Sequence, residues 1–323
     1  CSAIHWSAQA KAGSSLGYAY PAYPVQAKWH LWLLGSANRR YPLIRSEGMM
    51  ARNTKQMCVE MASVTGRLAG KVAIITGAST GTGPVMARLF VEQGAKVLMA
   101  ARREELVASH AAAIGEGAIA MRCDVTNEDD VAAMVDRALE EFGQVDVLLN
   151  NAAAPGQDKY IWEQTLENWN ATIAIDLTAA MLCSREVVRR SMLERKTGSI
   201  INFSSTAGWR GDTRKSHYVS AKAALRAFTK SVANDVGPHG IRCNCLVPGS
   251  IDTELWQNYA KRRAGEEGVP VEQWRAQTFE SLPLRRISSP QDIANLALFL
   301  ASDESNTITG QSINCDAGAY MVG

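Results

Sequence analysis

From Met61 onward the chain alternates short, unbroken apolar runs with longer stretches whose apolar positions recur every three or four residues. Lys71-Val-Ala-Ile-Ile-Thr76 shows no polar alternation, which predicts a strand buried on both faces. A helix is expected from Gly83 to about Gln93, stopped by Gly94, followed by strands at Lys96 to Ala100 and Ala118 to Cys123. The next helix carries its own punctuation: Thr126 as N-cap, Glu128, Asp129 and Asp130 in the first turn, and Gly143 beyond the last apolar position. Val145 to Leu149 predicts a fourth strand, Thr165 to Glu194 a long helical stretch, and Ser199 to Phe203 a fifth strand. A helix from Lys215 to Val236, a strand from Arg242 to Leu246, a helix near Asp292 to Leu300 and a strand from Ser312 to Cys315 complete the pattern. Regular alternation of this kind implies an α/β fold, a Rossmann-type doubly wound parallel sheet in a single domain.

Length and composition agree with that class. With 323 residues, 46% of them hydrophobic, the chain can bury one large core and is not disordered by composition. Residues 1–60 show neither periodicity nor repeats, and they carry seven Lys or Arg against two Glu, whereas the remainder carries 27 basic and 30 acidic residues. The alkaline balance therefore belongs to the first 60 residues, and no nucleic-acid surface is expected on the rest. Two readings of that acid-poor leader are carried: a transit peptide, or a translated upstream region with Met61 as the true start, the second being preferred. The domain is then residues 61–323. A cytoplasmic location is expected, or an organellar matrix if the leader is a transit peptide. No stretch reaches the roughly 18 apolar residues needed to span a bilayer, so a soluble protein without a membrane partner is expected. Seven scattered cysteines, with Cys243 and Cys245 as the only close pair, read as buried small hydrophobes in a reducing compartment, and no metal site is expected.

Three groups of residues carry chemistry. Thr76-Gly-Ala-Ser-Thr-Gly-Thr-Gly83 follows a buried strand and opens a helix, so Gly77, Gly81 and Gly83 would let backbone approach a pyrophosphate that the helix N-terminus attracts. After the second strand, where a site for NAD normally has a carboxylate, Ala101 stands and Arg102 follows. NADP is the expected cofactor, NAD the lesser alternative. Finally, Tyr218 and Lys222 lie four apart on a predicted helix and share a face. A fixed cation favours an ionised phenol, so the pair can supply a proton donor and acceptor near neutral pH. His217, adjacent in sequence, points about 100° away and reads as surface or substrate-pocket packing.

With these motifs in register, the chain from about Met61 to its end resembles the short-chain dehydrogenase/reductase family. Thr76 to Gly83 matches the family's glycine motif, Asn150-Asn-Ala-Ala153 its Asn-Asn-Ala-Gly, Ser205 its active-site serine, and Tyr218 to Lys222 its Tyr-x-x-x-Lys. The resemblance implies a hydride transfer between a nicotinamide and a small carbonyl or alcohol substrate. Tyr218 would exchange a proton with the substrate oxygen, Ser205 would hydrogen-bond that oxygen, and Lys222 would bind the nicotinamide ribose and lower the tyrosine pKa. It also implies cofactor contacts from Ser79, Thr80, Asn151 and Ala152, from the adenine-side pair Asp124 and Val125, and from Pro248, Gly249, Ile251 and Thr253 beside the nicotinamide. A homotetramer or homodimer is implied, through the helices predicted at 165–194 and 215–236.

Two positions depart from the family pattern. Asp176 stands where the family usually has an asparagine acting through its backbone carbonyl; as a fourth catalytic-site residue it would compensate the charge of Lys222 and alter the pH dependence. Ala153 replaces a glycine, at little cost if its φ is negative. Substrate choice is expected in segments 153–162, 206–216 and 254–283, the last a helical lid carrying Leu255, Trp256, Tyr259, Trp274 and Phe279. The leading expectation is an NADP-dependent reductase of the 3-oxoacyl type. A sugar, polyol or steroid alcohol dehydrogenase is the alternative within the chemistry, and a catalytically silent nucleotide-binding scaffold is the alternative outside it. The family's enoyl-reductase variant is disfavoured, because it places the lysine further from the tyrosine and position 225 is Leu.

Overall fold

A computed structural model of the chain describes residues 66–321, so the reading of residues 1–60 as a leader lies outside the described residues. Seven parallel strands form one sheet in the order β3-β2-β1-β4-β5-β6-β7: β1 (Val72–Thr76), β2 (Lys96–Ala101), β3 (Ala118–Arg122), β4 (Val147–Asn150), β5 (Gly198–Phe203), β6 (Ile241–Pro248) and β7 (Ser312–Cys315). All five residues of β1 and all eight of β6 are buried, as expected of strands covered on both faces.

The period of two along the strands divides the core. Ala73, Ile75, Val97, Met99, Val147 and Leu149 pack with Met86, Ala87 and Phe90 of α1 (Thr82–Glu92), Val107 of α2 (Glu104–Ile114) and Ala294 and Ala297 of α9 (Pro290–Ala301). Ile74, Leu98, Leu148, Ile200 and Cys243 point the other way, toward α3 (Glu128–Phe142), α5 (Ala179–Val187) and α6 (Ser216–Val236). Between α3 and α6 a helical rod begins with α4 (Leu166–Ile173), passes through a π-helical turn (Ala174–Thr178) into α5, and ends through a second π turn (Val188–Met192). The remaining helices, α7 (Glu254–Glu267) and α8 (Val271–Glu280), form the anticipated helical segment after β6.

Several local readings need correction. Helix α2 has no counterpart in the expected element list. Helix α3 is capped by Asn127, whose side chain accepts from the amides of Asp129 and Asp130; Thr126 instead donates its hydroxyl to Asp124. Strand β4 starts two residues later than expected, because the Val145 amide is taken by the Ser191 hydroxyl at 2.9 Å.

Strand order reverses between β1 and β4, and a crevice at the carboxyl ends of the strands is the geometric consequence. The segments beginning Gly77, Asn151, Ser204 and Gly249 all leave the sheet at that edge.

Candidate active site

The glycine turn after β1 is locked to the turn after β4. Thr76 Oγ1 accepts from the amides of Asn151 and Ala152, both at 3.1 Å, while the Asn151 amide side chain donates to Thr76 O at 2.9 Å and Gly77 O at 3.2 Å and accepts from Thr82 Oγ1 at 2.9 Å. The glycines divide the work. A Cβ on Gly77 would meet Ala152 Cα at 2.7 Å, and one on Gly83 would meet Ala78 Cα at 2.7 Å, so these two serve backbone packing. Gly81 differs: its φ is +64° and the nearest atom to an added Cβ is Thr253 Cγ2 at 3.8 Å, which leaves the turn open on that side. As N-cap of α1, Gly81 offers no side-chain acceptor, and the first turn holds no acid. Pro84 has no amide hydrogen and the Gly83 amide bonds Thr80 O at 3.4 Å, so the Gly81 and Thr82 amides are those left for an anion, and the open turn fits a dinucleotide phosphate.

On the adenine side, Asp124 Oδ1 accepts from the Thr126 amide at 3.0 Å and its hydroxyl at 2.8 Å. Burial alone would raise this carboxyl, but the Thr126 bonds, then Arg102 and Arg122, hold it below its ordinary value. Val125 is buried. Arg102 is exposed. Its neighbour was not singled out by the sequence: Arg103 reaches back over the glycine turn and donates to Ser79 Oγ at 2.9 Å and Thr80 Oγ1 at 2.8 Å. Across the crevice, Pro248 ends β6, a Cβ on Gly249 would meet Asp316 Cβ at 2.8 Å, Ile251 bridges to Ser288, and the Thr253 hydroxyl accepts the Trp256 amide at the start of α7.

Helix α6 brings Tyr218 and Lys222 to the end of β5. Lys222 is 2% exposed; its Nζ donates to Phe203 O at 2.9 Å and stands 5.6 Å from the centroid of the half-buried Tyr218 ring. Ser205 follows two residues after Phe203 in extended conformation, and its hydroxyl accepts the Ala207 amide at 3.2 Å. The helix is anchored to the same strand end by Ser204 Oγ, which donates to Lys222 O at 2.8 Å. From the opposite side, Asp176 in the first π turn places Oδ1 3.6 Å from Lys222 Nζ, with the Ala154 amide at 3.0 Å.

This buried ion pair is tightly coupled. Burial alone would drive the Lys222 ammonium down, but the Asp176 carboxylate, and after it Tyr218 and Cys245, hold it above its ordinary value. Burial pushes the Asp176 carboxyl up, against the pull of Lys222 and the Ala154 amide. Removing one partner of such a pair leaves a buried charge uncompensated, at a cost on the order of 3–5 kcal/mol.

His217 is neither on the surface nor in an open pocket. Its ring is fully buried, and Nε2 donates to Pro155 O at 2.9 Å, bracing the loop after β4. Ala153 has no positive φ, so its methyl adds no backbone strain. The cysteine reading agrees with burial of Cys123, Cys183, Cys243 and Cys245; burial pushes the Cys123 thiol up to about 12 and Cys245 up to about 11.

The three segments expected to choose the substrate converge. Asp158 after β4 pairs with Arg262 of α7 at 2.7 Å; Arg214 before α6 lies 5.5 Å over the Tyr160 ring; Lys215 lies 4.9 Å over the Tyr259 ring of α7. The aromatic residues of α7 and α8 mostly pack on one another: Trp256 stacks on Phe279 at 5.9 Å and meets Trp274 at 6.4 Å. Leu255 departs from that pattern, being 68% exposed. Among the described residues no helix is long and apolar enough to cross a membrane.

Comparison with known proteins defines the class. A family model described as Enoyl-(Acyl carrier protein) reductase matches residues 77–320. The chain is 38% identical to galactitol 2-dehydrogenase of Agrobacterium fabrum over 79% of its own length and 99% of the relative's. It is 34% identical to a 3-oxoacyl-(acyl-carrier-protein) reductase of Vibrio cholerae, over 79% and 99% respectively. Momilactone A synthase of Oryza sativa subsp. japonica is 38% identical, over 79% of this chain and 92% of that protein. Among solved structures, levodione reductase superposes with a TM-score of 0.73 at 26% identity, covering 78% of this chain and 98% of that one. The chain belongs to the short-chain dehydrogenase/reductase family. It is an NAD(P)-dependent oxidoreductase acting on a carbonyl or alcohol.

Proposed function

We propose that the chain is an NADP-dependent reductase of small ketones, with Tyr218 as proton donor, Ser205 as hydrogen-bond donor to the substrate oxygen, and Lys222 as the cation beside them. The observation that carries the reading is Lys222, a buried ammonium fixed on Phe203 O beside the Tyr218 ring. Bound in the crevice, the nicotinamide cofactor supplies or accepts the hydride. Tyr218 gives its proton to the carbonyl oxygen as negative charge develops there, and Lys222 lowers the energy of the phenolate left behind. The cofactor's phosphates would be held by the Gly81 turn with Ser79 and Thr80, its adenine by Asp124 and Val125, and its nicotinamide end by Asn151, Ala152, Pro248, Gly249, Ile251, Thr253 and Lys222.

Preference for NADP is supported by the absence of a carboxylate at Ala101, by Arg102 beside it, and by Arg103 fixed across Ser79 and Thr80. A 3-oxoacyl-type ketone is the leading substrate class, in line with the bacterial ketone-reducing relatives. A polyol or other secondary alcohol is the second reading, favoured by the galactitol and sorbitol dehydrogenases among the relatives. The assembly belonging to this reading is a homotetramer or homodimer formed through the α4–α5 rod and α6, which light scattering tests.

A panel of ketones and secondary alcohols, followed by NADPH and NADH absorbance, tests the function. Tyr218→Phe is expected to lower kcat about 100- to 10,000-fold on whichever substrate is turned over. A Tyr218→Phe variant with wild-type turnover would overturn the assignment of the proton donor.

A further inference from the structure

The shape of the site at position 176 does not require an acidic side chain. The Asp176 side chain is wholly buried in the π-helical turn Ala174–Thr178, and Oδ1 already has the Ala154 amide as donor. An asparagine has the same shape and its oxygen could accept that amide equally well. What distinguishes the carboxylate is its charge, and the nearest cation is Lys222 Nζ at 3.6 Å. That same ammonium is the cation beside Tyr218.

The other groups around the pair cannot do this work. On α6, His217 gives its Nε2 hydrogen to Pro155 O, and as an imidazole it offers no negative charge to Lys222. On β6, the Cys245 thiol is held neutral by burial, as is the Cys183 thiol on α5. The end of β5 offers hydroxyls at Ser204 and Ser205 and the Phe203 carbonyl, and the loop after β4 offers the Ala154 amide. Among the described residues, neither Asp176 nor Lys222 takes part in any other ion pair.

We propose that Asp176 is a positioning residue whose carboxylate compensates Lys222 and so sets how strongly that ammonium favours ionised Tyr218. The proposal rests on the reading of Tyr218 as proton donor. With the carboxylate in place, part of the lysine field at the phenol is cancelled and the phenol holds its proton more tightly. Asp176→Asn keeps the shape and the Ala154 bond, and it frees the lysine field provided that the Phe203 carbonyl and Tyr218 hold the Lys222 proton without the carboxylate; an upward shift in the variant would show that they do not.

The test is an ultraviolet difference titration of phenolate in the full chain without cofactor. The chain has eight tyrosines, so Tyr218→Phe is made in both the wild-type and Asp176→Asn backgrounds and subtracted to isolate Tyr218. Asp176→Asn is expected to raise the Tyr218 ionisation constant about tenfold, moving its midpoint down by about one pH unit. The acid limb of alcohol oxidation should move the same way by a similar amount. Tyr218 midpoints that agree within about 0.3 unit, or an upward shift in the variant, overturn the proposal. A merely structural role would lower the melting temperature and leave the midpoint in place. If Asp176→Asn does not fold, Asp176→Ser, which retains an oxygen but not the charge, carries the same expectation. A wild type that turns over no carbonyl or alcohol refutes the functional reading alone, since the phenol titration still decides the role of Asp176.

Discussion

Replacing Gly77 by alanine, with Gly81→Ala as its partner experiment, separates the glycine that holds the crevice together from the one that opens it. Both residues have positive φ, +66° and +64°, but Gly81, with ψ of −123°, lies outside the left-handed helical well in a region open essentially to glycine alone, so an alanine incurs about 1–2 kcal/mol of conformational strain at Gly77 and about 1–3 kcal/mol at Gly81. At Gly77 a second effect is added. The new Cβ meets Ala152 Cα at 2.7 Å and Ala152 N at 2.9 Å, and these backbone atoms cannot rotate away as a flexible side chain could. Forcing them apart adds about 1–3 kcal/mol by analogy with overpacked cores, for a total of about 2–5 kcal/mol. At Gly81 the nearest atom is a methyl at 3.8 Å, and strain alone remains. For a domain of this size 1 kcal/mol corresponds to about 2–4 °C, so Gly77→Ala is expected to melt roughly 4–20 °C below wild type and Gly81→Ala roughly 2–12 °C below, with Gly77→Ala the lower of the two. The displaced Ala152 also drags Asn151, whose amide spans Thr76 and Gly77, so Gly77→Ala should weaken nicotinamide cofactor binding as well. Thermal unfolding by circular dichroism and cofactor titration by tryptophan fluorescence read the two effects. Equal melting temperatures for the two variants would refute the clash argument.

Two further outcomes follow from the same geometry. Loss of one charge-assisted bond to a 2′-phosphate corresponds to about 1.5–3 kcal/mol, so Arg102→Ala and Arg103→Ala should each weaken NADPH binding about 10- to 150-fold while changing NADH binding little; equal losses for both cofactors would remove the basis for NADP preference. Asp292 caps α9 and pairs with Arg286 at 2.7 Å, and the Arg286 bond, followed by the Ser289 amide, lowers its carboxyl to about 2 from an ordinary 3.8. A carboxyl more acidic in the folded state adds stability above its unfolded value and loses it as pH falls toward the folded one. The difference in melting temperature between wild type and Asp292→Asn should therefore be full above about pH 5 and vanish near pH 2; a constant difference across that range would contradict the assignment.

The strand-helix alternation and the order of the motifs were legible because they rest on local periodicity and short spacings. The glycine turn leaves a buried strand and opens α1 as its position in the sequence implied, and Tyr218 and Lys222 share a helix face as four-residue spacing demands. What escaped reading depends on partners distant in the chain. His217 is buried because Pro155 supplies an acceptor from a loop 62 residues away. The choice between Arg102 and Arg103 turns on which guanidinium reaches Ser79 and Thr80, a matter of side-chain direction at the end of β2. In the run Asp124 to Asp130 several residues can cap a helix, and the competition went to Asn127 once Thr126 had bonded to Asp124. The π turns at Ala174–Thr178 and Val188–Met192 leave no sequence mark, since they change the hydrogen-bond step without changing the apolar stripe.

The loops around the crevice are joined by long side chains reaching from one segment to another: Asp158 to Arg262, Tyr160 to Arg214, Tyr259 to Lys215. None of these clasps lies within a single segment. Transplanting one such loop from a relative with a different substrate would orphan the residues that gripped it. Changing specificity in this scaffold is therefore expected to take matched sets of segments exchanged together, with chimeras built one segment at a time starting at a handicap unrelated to the chemistry they import.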